Sequence, residues 1–357
     1  MSLYYTDQPV FGFDIGRSSI KIMQIDPLSK KKEKSVVQAY GNIGFDPKAI
    51  DKGVIVEPEI IIKAAHDLMN TSLVGTLNTR YIAMSLPNSH SFSRVISLPS
   101  DIKEEDIEAA VQAEIAESIP VPLTELIYDF EETKILEDGN REVQLVASPS
   151  RITESYTQVA QALGLTPAAI EPNINSVTRM VVHSEAHEAV SMILDLGSEA
   201  TDLSVYDRYV VRVTGSVDCG GEHLTRAIAA KLQITERQAH SIKTRYGLGV
   251  SKKQAEILEA LEPELNRLVR EIKKVMRYYA DRASDGREIG QIIILGGGAN
   301  LPGLSAYITN QTRVPTRLNA PWTNLDFGSL KPPHELETTI YTTAGGLSLI
   351  HPEELSS

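Results

Sequence analysis

The 357-residue sequence predicts an α/β protein of two related lobes, and three motifs carry this prediction. Residues 13–16 (Phe-Asp-Ile-Gly) and 194–197 (Leu-Asp-Leu-Gly) each close an apolar run, and each is followed by small hydroxyl residues and a second run. The third motif, three glycines at 296–298, follows the apolar run at 292–295. Self-similarity at long separation indicates a duplicated unit. We therefore expect two strand-turn-strand lobes that face each other, with a glycine loop beside them.

Composition excludes several classes of protein. The length suits two lobes that each bury a core. With 35 basic and 47 acidic residues, the net charge of −12 repels phosphate backbones, so we expect no nucleic-acid partner. The first residues lack the basic and apolar regions of a signal peptide, and no apolar stretch is long enough to span a bilayer. We expect a cytoplasmic protein without direct membrane insertion.

The first half of the chain predicts a lobe core and an insert. Apolar patterning predicts strands at 10–15 and 20–25, a lysine-rich hairpin loop at 29–34 and a helix at 58–69. Residues 81–147 predict an inserted subdomain with strands at 81–86 and 91–98, a helix capped by Asp101 with Glu104, and a hairpin of strands at 128–135 and 142–147. Prolines at 120 and 122 end the helix.

The second half alternates helices with two more apolar strands. We predict helices at 151–163, 174–187, 224–232, 235–246, from about 263 onward and at 341–350, and strands at 190–196 and 291–295. The predicted domains are a first lobe core of 1–80, 148–188 and 338–357, the insert 81–147, a second lobe core of 189–221 and 288–337, and a helical subdomain of 222–287.

The paired Asp-x-Gly motifs are suited to phosphate and Mg²⁺. Glycine in a tight turn lets backbone N–H groups approach a phosphate. Two aspartates that face each other across a cleft can hold Mg²⁺ through its waters. A single Asp-x-Gly is ordinary turn chemistry, but two copies that each join two apolar strands are more specific. The residues that we expect around the phosphates and the metal are Asp14, Gly16, Ser18, Ser19, Lys21, Asp195, Gly197, Thr201, Gly220, Gly221 and Glu222.

The glycine loop after the last strand suits a flat ring. Backbone that lies against a nucleobase needs glycine, and this loop matches neither the GxGxxG pattern nor a P-loop. We expect Gly296, Gly297, Gly298 and Asn300 to border the nucleoside. Cys219, the single cysteine, excludes an internal disulfide, and we interpret it as a small filler beside glycines rather than a nucleophile.

These motifs resemble those of the actin, sugar-kinase and heat-shock ATPase superfamily, whose lobes are RNase H-like. Within it the chain resembles the PilM family of type IV pilus assembly, in the branch with an FtsA-type insert. The supporting segments outside the nucleotide motifs are 98–99 (Leu-Pro), 109–114, 119–122 (Ile-Pro-Val-Pro), 128–129, 146–149 and 162–167.

The resemblance implies ATP and Mg²⁺ in a central cleft, with Lys243 beside the ribose and weak or absent ATPase activity. It also implies that the cleft between the first lobe core and the insert binds the cytoplasmic N-terminal peptide of the membrane protein PilN. The chain would thus be held at the inner face of the cytoplasmic membrane by the pilus alignment complex. Two departures from the family bear on turnover: His240 replaces a common glutamate, and a proline occupies the hinge segment 171–173 (Glu-Pro-Asn).

Other functions stay open at the level of sequence. A small-molecule kinase of the sugar or acetate type needs a carboxylate base, for which Glu222 or Asp202 could serve. A filament-forming actin relative needs a self-association interface that one sequence does not reveal. A chaperone-like ATPase without its peptide domain is the last alternative.

Overall fold

The computed structural model describes residues 9–26, 34–135, 139–184, 189–208, 210–283 and 286–350. Most of the lysine-rich loop predicted at 29–34 lies outside the described residues, as does part of the predicted hairpin turn at 137–140. No helix among the described residues is both long and apolar enough to cross a membrane.

Helices and strands alternate through the described part of the chain. The helices are α1 Pro58–Asp67, α2 Ile107–Ser118, α3 Ser150–Ala162, α4 Asn173–Ser184, α5 Gly221–Leu232, α6 Glu236–Arg245, α7 Gln254–Ala280, α8 Leu304–Thr312 and α9 Thr342–Ser348. The strands are β1 Phe11–Ile15, β2 Ser19–Asp26, β3 Ser35–Gly44, β4 Ile50–Asp51, β5 Val54–Ile55, β6 Val74–Gly75, β7 Tyr81–Leu86, β8 Phe92–Leu98, β9 Leu126–Ile135, β10 Arg141–Pro149, β11 Thr166–Pro172, β12 Ser191–Leu196, β13 Thr201–Asp207, β14 Val210–Val217, β15 Gln291–Leu295, β16 Thr316–Leu318 and β17 Leu325–Asp326.

Two large sheets repeat one topology, which agrees with the predicted duplication. The first sheet has the order β11-β7-β1-β2-β3, with β17 and β6 added at β3, and the second has the order β16-β15-β12-β13-β14. In both sheets the first three strands in sequence are antiparallel, and the two later strands add parallel to the first. Asp14 lies opposite Lys21 in the first sheet, and Asp195 lies opposite Asp202 in the second.

The assignment of residues 81–86 to the insert was wrong. Strand β7 forms as predicted, but it pairs parallel with β1 in the first sheet. Its side chains from Ile82 to Leu86 are all buried, which suits a central strand covered on both faces. The local pattern predicts a strand, whereas its partner is set by the tertiary fold.

The insert is a small three-stranded sheet with one helix. Its strand order is β8-β10-β9, and α2 packs Val111 and Ile115 against Val143 and Leu145 of β10. The predicted Asp101 cap was wrong, because a 3-10 turn at Glu104–Asp106 precedes α2 and the helix begins at Ile107.

An ion pair joins this insert to the second lobe. Strands β8 and β14 lie against each other at this boundary. Arg212 of β14 donates through Nη1 to Oε2 of Glu142 at 2.5 Å, and Thr133 donates to the other carboxylate oxygen at 3.0 Å. Both partners are largely buried, so neither charge is fully solvated outside the pair.

Helix α7 starts earlier than predicted and contains Pro263 in its interior. Proline normally ends a helix because it lacks an N–H donor. Here the buried positions Ile257, Leu261, Leu265 and Leu268 continue through the proline at helical spacing, so burial outweighs the lost hydrogen bond. Strands β3, β11 and β14 were not predicted from the sequence, whereas α8 begins where a helix was expected, after the glycine loop.

Helix α9 holds the first sheet and α4 together through glycine. All of its side chains are buried. A Cβ on Gly346 would lie 1.8 Å from the carbonyl oxygen of Ser176 in α4, and one on Gly12 of β1 would lie 1.9 Å from that of Ala344 in α9. Arg179 of α4 donates to Gly346 O at 3.1 Å and to both carboxylate oxygens of Glu171 in β11. Backbone therefore contacts backbone where α9 meets α4, and α4 packs its Val177 and Val181 on the second sheet.

We expect Gly346→Ala to lower the free energy of unfolding by about 1–3 kcal/mol, because the new methyl group overlaps a backbone atom. Thermal unfolding should then occur roughly 3–10 °C lower. Gly44→Ala is the matched control, since its Cβ would meet nothing closer than 3.7 Å. Equal midpoints for the two variants would show that α4 and α9 adjust freely.

Candidate functional site

A cleft of about 620 Å³ lies between the two lobes. Both Asp-x-Gly turns, the start of α5 and the last glycine loop contribute to its lining. The sequence motifs thus meet in one place.

The two glycine turns have the same backbone hydrogen bond. Gly16 N–H donates to Ser19 O at 3.0 Å, and Gly197 N–H donates to Ala200 O at 2.9 Å. A Cβ at Gly197 would lie 3.0 Å from that same Ala200 oxygen, so the turn leaves little room for a side chain. Each turn is therefore a tight hairpin that exposes its outer backbone to the cleft.

Asp14 is a buried carboxylate with two partners. Oδ2 lies 3.1 Å from Lys21 Nζ, and Oδ1 accepts from the Ser85 hydroxyl at 2.7 Å. Lys21 reaches it because the two residues are opposite in the β1–β2 ladder. Ser85 reaches it from the carboxyl end of β7, the neighbouring parallel strand.

The second lobe places two aspartates where the first places an aspartate and a lysine. Burial raises the pKa of Asp195 to about 7, with the nearby carboxylates of Asp202 and Asp14 adding to the effect and Lys21 opposing it. Burial also raises the pKa of Asp202. Asn173, the first residue of α4, donates to Asp202 Oδ2 at 3.2 Å, whereas Oδ1 is buried without a hydrogen-bond partner. The site therefore carries excess negative charge.

The start of α5 docks onto the second glycine turn. The N–H groups of Gly221 and Glu222 donate to Gly197 O and Ser198 O at 2.9 and 2.8 Å. Lys243 of α6 donates through Nζ to Gly221 O at 2.6 Å and to Thr225 Oγ1 at 2.8 Å. Burial lowers the pKa of this lysine, whose ammonium fixes the helix start rather than projecting freely into the cleft.

The glycine loop after β15 is anchored to the segment before α9. Gly296 has a φ of +82°, and a Cβ there would lie 2.4 Å from Asp195 Oδ1. The Thr339 hydroxyl donates to Gly296 O at 3.0 Å, and Asn300 donates to Leu336 O at 2.7 Å. A 3-10 turn, Gly297–Asn300, follows, and α8 begins only at Leu304. Glycine is required here by both backbone conformation and space.

Most of the residues predicted for the site line the cleft. Those that do are Asp14, Gly16, Ser18, Ser19, Lys21, Asp195, Gly197, Gly221, Glu222, Lys243, Gly296, Gly297 and Gly298. His240 also lines it and is exposed.

Three predicted residues are not part of the lining, and each has a structural role. Thr201 is fully buried and donates to the carbonyl of Cys219. Asn300 anchors the glycine loop, as described above. A Cβ on Gly220 would lie 2.4 Å from Ser198 O, so this glycine permits the close approach of α5 to the second turn.

Several polar residues of the cleft were not predicted from the sequence, among them Arg17, Ser85, His90 and Asn173. Ser85 could have been found if β7 had been placed beside β1, because parallel strands end at the same edge. Burial and then the charge of Arg151 lower the pKa of His90. Asn173 lies in the predicted hinge, at the junction of β11 and α4.

The donor set of the cleft fits a divalent cation with a polyphosphate. Asp14, Asp195 and Asp202 line the cleft, and one buried oxygen of Asp202 has no hydrogen-bond partner. Both glycine turns, the hydroxyls of Ser18 and Ser19 and the ammonium of Lys21 line the same cleft. Among the described residues, no group of three or more His, Cys, Asp or Glu could hold a metal by itself. This arrangement matches Mg²⁺, which keeps waters and shares its oxygen ligands with substrate phosphates.

Solved structures define the class of the fold as actin-like. The chain superposes on one chain of a structure described as "PilM-PilN type IV pilus biogenesis complex", with a TM-score of 0.79 and 22% identity, over 96% of this chain and 98% of the other. It is also similar to MreB5 of Spiroplasma citri bound to AMPPNP, with a TM-score of 0.54 and 13% identity over 95% of both chains.

The family is defined by sequence. The model of the type IV pilus assembly protein PilM matches residues 12–351. The chain therefore belongs to the PilM family of type IV pilus assembly proteins. Among curated proteins it is similar to the cell division protein FtsA of Borreliella burgdorferi, with 21% identity over 87% of this chain and 84% of that protein. FtsA of Bacillus subtilis is 22% identical over 86% of this chain and 78% of that protein.

The environment of Cys219 gives a testable result. Its thiol is buried beside Glu264, and burial raises its pKa to about 12. At pH 8 the thiolate is then about a thousandfold scarcer than at an ordinary cysteine. We expect no reaction of the native protein with DTNB over minutes and one thiol per chain after unfolding in guanidinium. Rapid reaction in the native state would contradict the assignment of Cys219 as a filler.

Proposed function

We propose that this protein binds Mg-ATP in the cleft and, with its lobes held by the nucleotide, acts as a cytoplasmic assembly protein of a type IV pilus. The observation that carries the proposal is the meeting of two glycine turns with Asp14, Asp195 and Asp202 in one cleft. Asp14 is buried and paired with Lys21, whereas Asp195 and Asp202 are partly buried and lie opposite each other, so a positive charge is favoured there. Bound Mg²⁺ would supply this positive charge and would bind together with the phosphates of ATP.

Residues of this chain divide the work of holding the ligand. The backbone of the two glycine turns and the hydroxyls of Ser18 and Ser19 donate to phosphate oxygens, and Lys21 supplies positive charge. Asp14 and Asp195 orient the waters of Mg²⁺. The loop from Gly296 to Gly298 lies against the nucleoside, with His240 and Lys243 nearby. Weak or absent hydrolysis is part of the proposal, since the nucleotide serves to fix the lobes.

The proposed partner is the cytoplasmic N-terminal peptide of PilN. Support comes from the family and from the similarity to a structure described as a PilM–PilN complex. Helix α3 lies at the seam between the first lobe and the insert, in contact with β5 on one side and with β9 and β10 on the other. Val56, directly after β5, is 51% exposed, and Ile127 of β9 is 48% exposed. Exposed apolar side chains on both sides of α3 suit a short apolar peptide. Through PilN the protein would be held at the inner face of the membrane, in the alignment complex.

The nucleotide part of the proposal predicts stabilisation by Mg-ATP. A ligand at 100 times its Kd adds about 2.7 kcal/mol to the free energy of unfolding. For lobes of this size the unfolding midpoint should rise by roughly 5–10 °C. Asp14→Asn removes a charge without changing shape and should abolish most of the shift, as should Asp195→Asn. Differential scanning fluorimetry measures this directly.

The matched control is Asp67→Asn, an exposed aspartate on α1 outside the cleft. It should keep the full shift. A full shift in Asp14→Asn and Asp195→Asn would place the nucleotide elsewhere. Any nucleotide that is carried through purification is removed and quantified by mass spectrometry before the comparison.

The peptide part predicts a defect at the seam. Val56→Asp should weaken binding of a fluorescent PilN N-terminal peptide by about tenfold or more, because a charge would replace an apolar contact worth at least about 1.4 kcal/mol. Val250→Asp is the matched control, since Val250 is 97% exposed in the loop between α6 and α7 of the second lobe. Fluorescence anisotropy gives both affinities. Equal affinities for the two variants would exclude the seam on the Val56 side.

A further inference from the structure

The insert carries almost all of the net charge of the protein. Residues 92–149 contain 14 acidic and four basic residues, a net charge of −10, whereas the whole chain has −12. The two lobes are therefore close to neutral. A field of one sign that is confined to one subdomain attracts cations and repels anions over about a Debye length of 8–10 Å.

Strand β9 is an open edge within this acidic insert. It is ten residues long and, in the described part of the chain, pairs with β10 alone. The N–H of Phe130 donates to the carboxylate of Asp129 at 2.9 Å and is thus turned away from β10. Backbone groups alternate along an antiparallel strand, so those of Tyr128 and Glu132 face the same open edge. An edge of this kind is a template for another strand.

The side chains decide what can pair there. Tyr128 and Phe130 pack toward the core of the insert, whereas Asp129 and Glu131 are exposed on the opposite face. Glu132 is exposed as well, and its Oε2 accepts a hydrogen bond from Arg141 Nη1 at 3.0 Å. A second copy of β9 would bring like charges face to face, which destabilises a strand pair. Anionic lipid and nucleic acid are repelled for the same reason.

We infer that the β9 edge binds an extended, lysine- or arginine-bearing segment of a partner protein by strand addition. Main-chain hydrogen bonds to the outward groups of Tyr128 and Glu132 and to the carbonyl oxygen of Phe130 supply affinity, and the added strand competes with Asp129 for the Phe130 N–H. Opposite-charge pairs with Asp129 and Glu131 supply selectivity and speed the encounter. Binding at this edge requires neither bound nucleotide nor a peptide at the apolar seam. It is therefore tested separately from the proposed binding of Mg-ATP and of the PilN peptide.

The experiment titrates the full-length protein with three fluorescein-labelled decapeptides. The first alternates threonine and lysine, the second replaces each lysine by glutamate, and the third is the lysine peptide with alternate backbone nitrogens methylated. Strand addition predicts binding of the first peptide alone, weakened by salt. Equal binding of the methylated peptide would reduce the interaction to charge attraction and overturn the inference, as would binding of the glutamate peptide or absence of binding by all three.

Matched variants separate local contacts from the general field. Asp129→Lys should weaken the lysine peptide roughly tenfold, because opposite-charge pairs become like-charge pairs. Glu117→Lys makes the same charge change on an exposed position of α2 and should have a clearly smaller effect. Equal effects of the two variants would contradict docking at β9.

The backbone contribution is tested at Glu132. Glu132→Pro removes an outward N–H, a change that edge strands tolerate, and Glu132→Gln removes the same charge and ion pair but keeps the N–H. Only the proline variant should lose strand addition. With wild-type protein, the amides of Phe130 and Glu132 should exchange hydrogen more slowly once the lysine peptide is bound.

Two further outcomes would overturn the inference. One is unchanged peptide affinity in a folded Glu132→Pro variant, with folding judged by its unfolding midpoint. The other is a wild-type dimer in sedimentation that dissociates in Glu132→Pro, which would make a second copy the occupant. Val56→Asp should leave binding of the lysine peptide unchanged, so a failure at the seam and a failure at β9 are distinguishable.

Discussion

Close packing of backbone against backbone, where α9 meets α4 and β1, constrains the rest of the structure. Glycine at 12 and 346 allows carbonyl oxygens to occupy the space of a side chain. Arg179 reinforces the contact by joining α4, α9 and the edge strand β11. The segment before α9 also holds the glycine loop through Thr339. A shift of α9 would therefore move both the lobe contact and one wall of the cleft.

The duplicated lobes are alike in backbone and unlike in charge, and this difference gives the cleft its chemistry. In the first lobe Lys21 lies opposite Asp14 and neutralises it. In the second lobe Asp202 lies opposite Asp195, so a like charge replaces a partner. Burial then raises the pKa of both second-lobe aspartates. If the second turn also had a lysine opposite its aspartate, both carboxylates would be neutralised within the protein. Because Asp202 stands at that position instead, the second turn favours a bound cation.

The insert adds a second kind of surface to a nucleotide-type fold. It follows β7 of the first lobe and contacts the second lobe through Glu142 and Arg212. An element that contacts both lobes is placed to respond to their relative position. Its strong negative charge is spread over the segment before α2, α2 itself, and β9 with its neighbours. Nucleotide and protein partners can thus occupy different faces of one molecule.

The sequence by itself determined the duplication, the strands and glycines of the three motifs, and the part of the cleft lining that these motifs supply, because tight turns and buried strands have local signatures. The tertiary structure alone decided which strand pairs with which and where long side chains end. Tyr81–Leu86 reads as a strand in any sheet, yet its place beside β1 brings Ser85 to Asp14. Lys243 lines the cleft, but its ammonium is held by Gly221 and Thr225. Thr201 and Asn300 stand in the right motifs and bond to backbone carbonyls instead of lining the cleft. Strand pairing and hydrogen-bond partners join residues distant in sequence, and a local pattern contains no information about that distance.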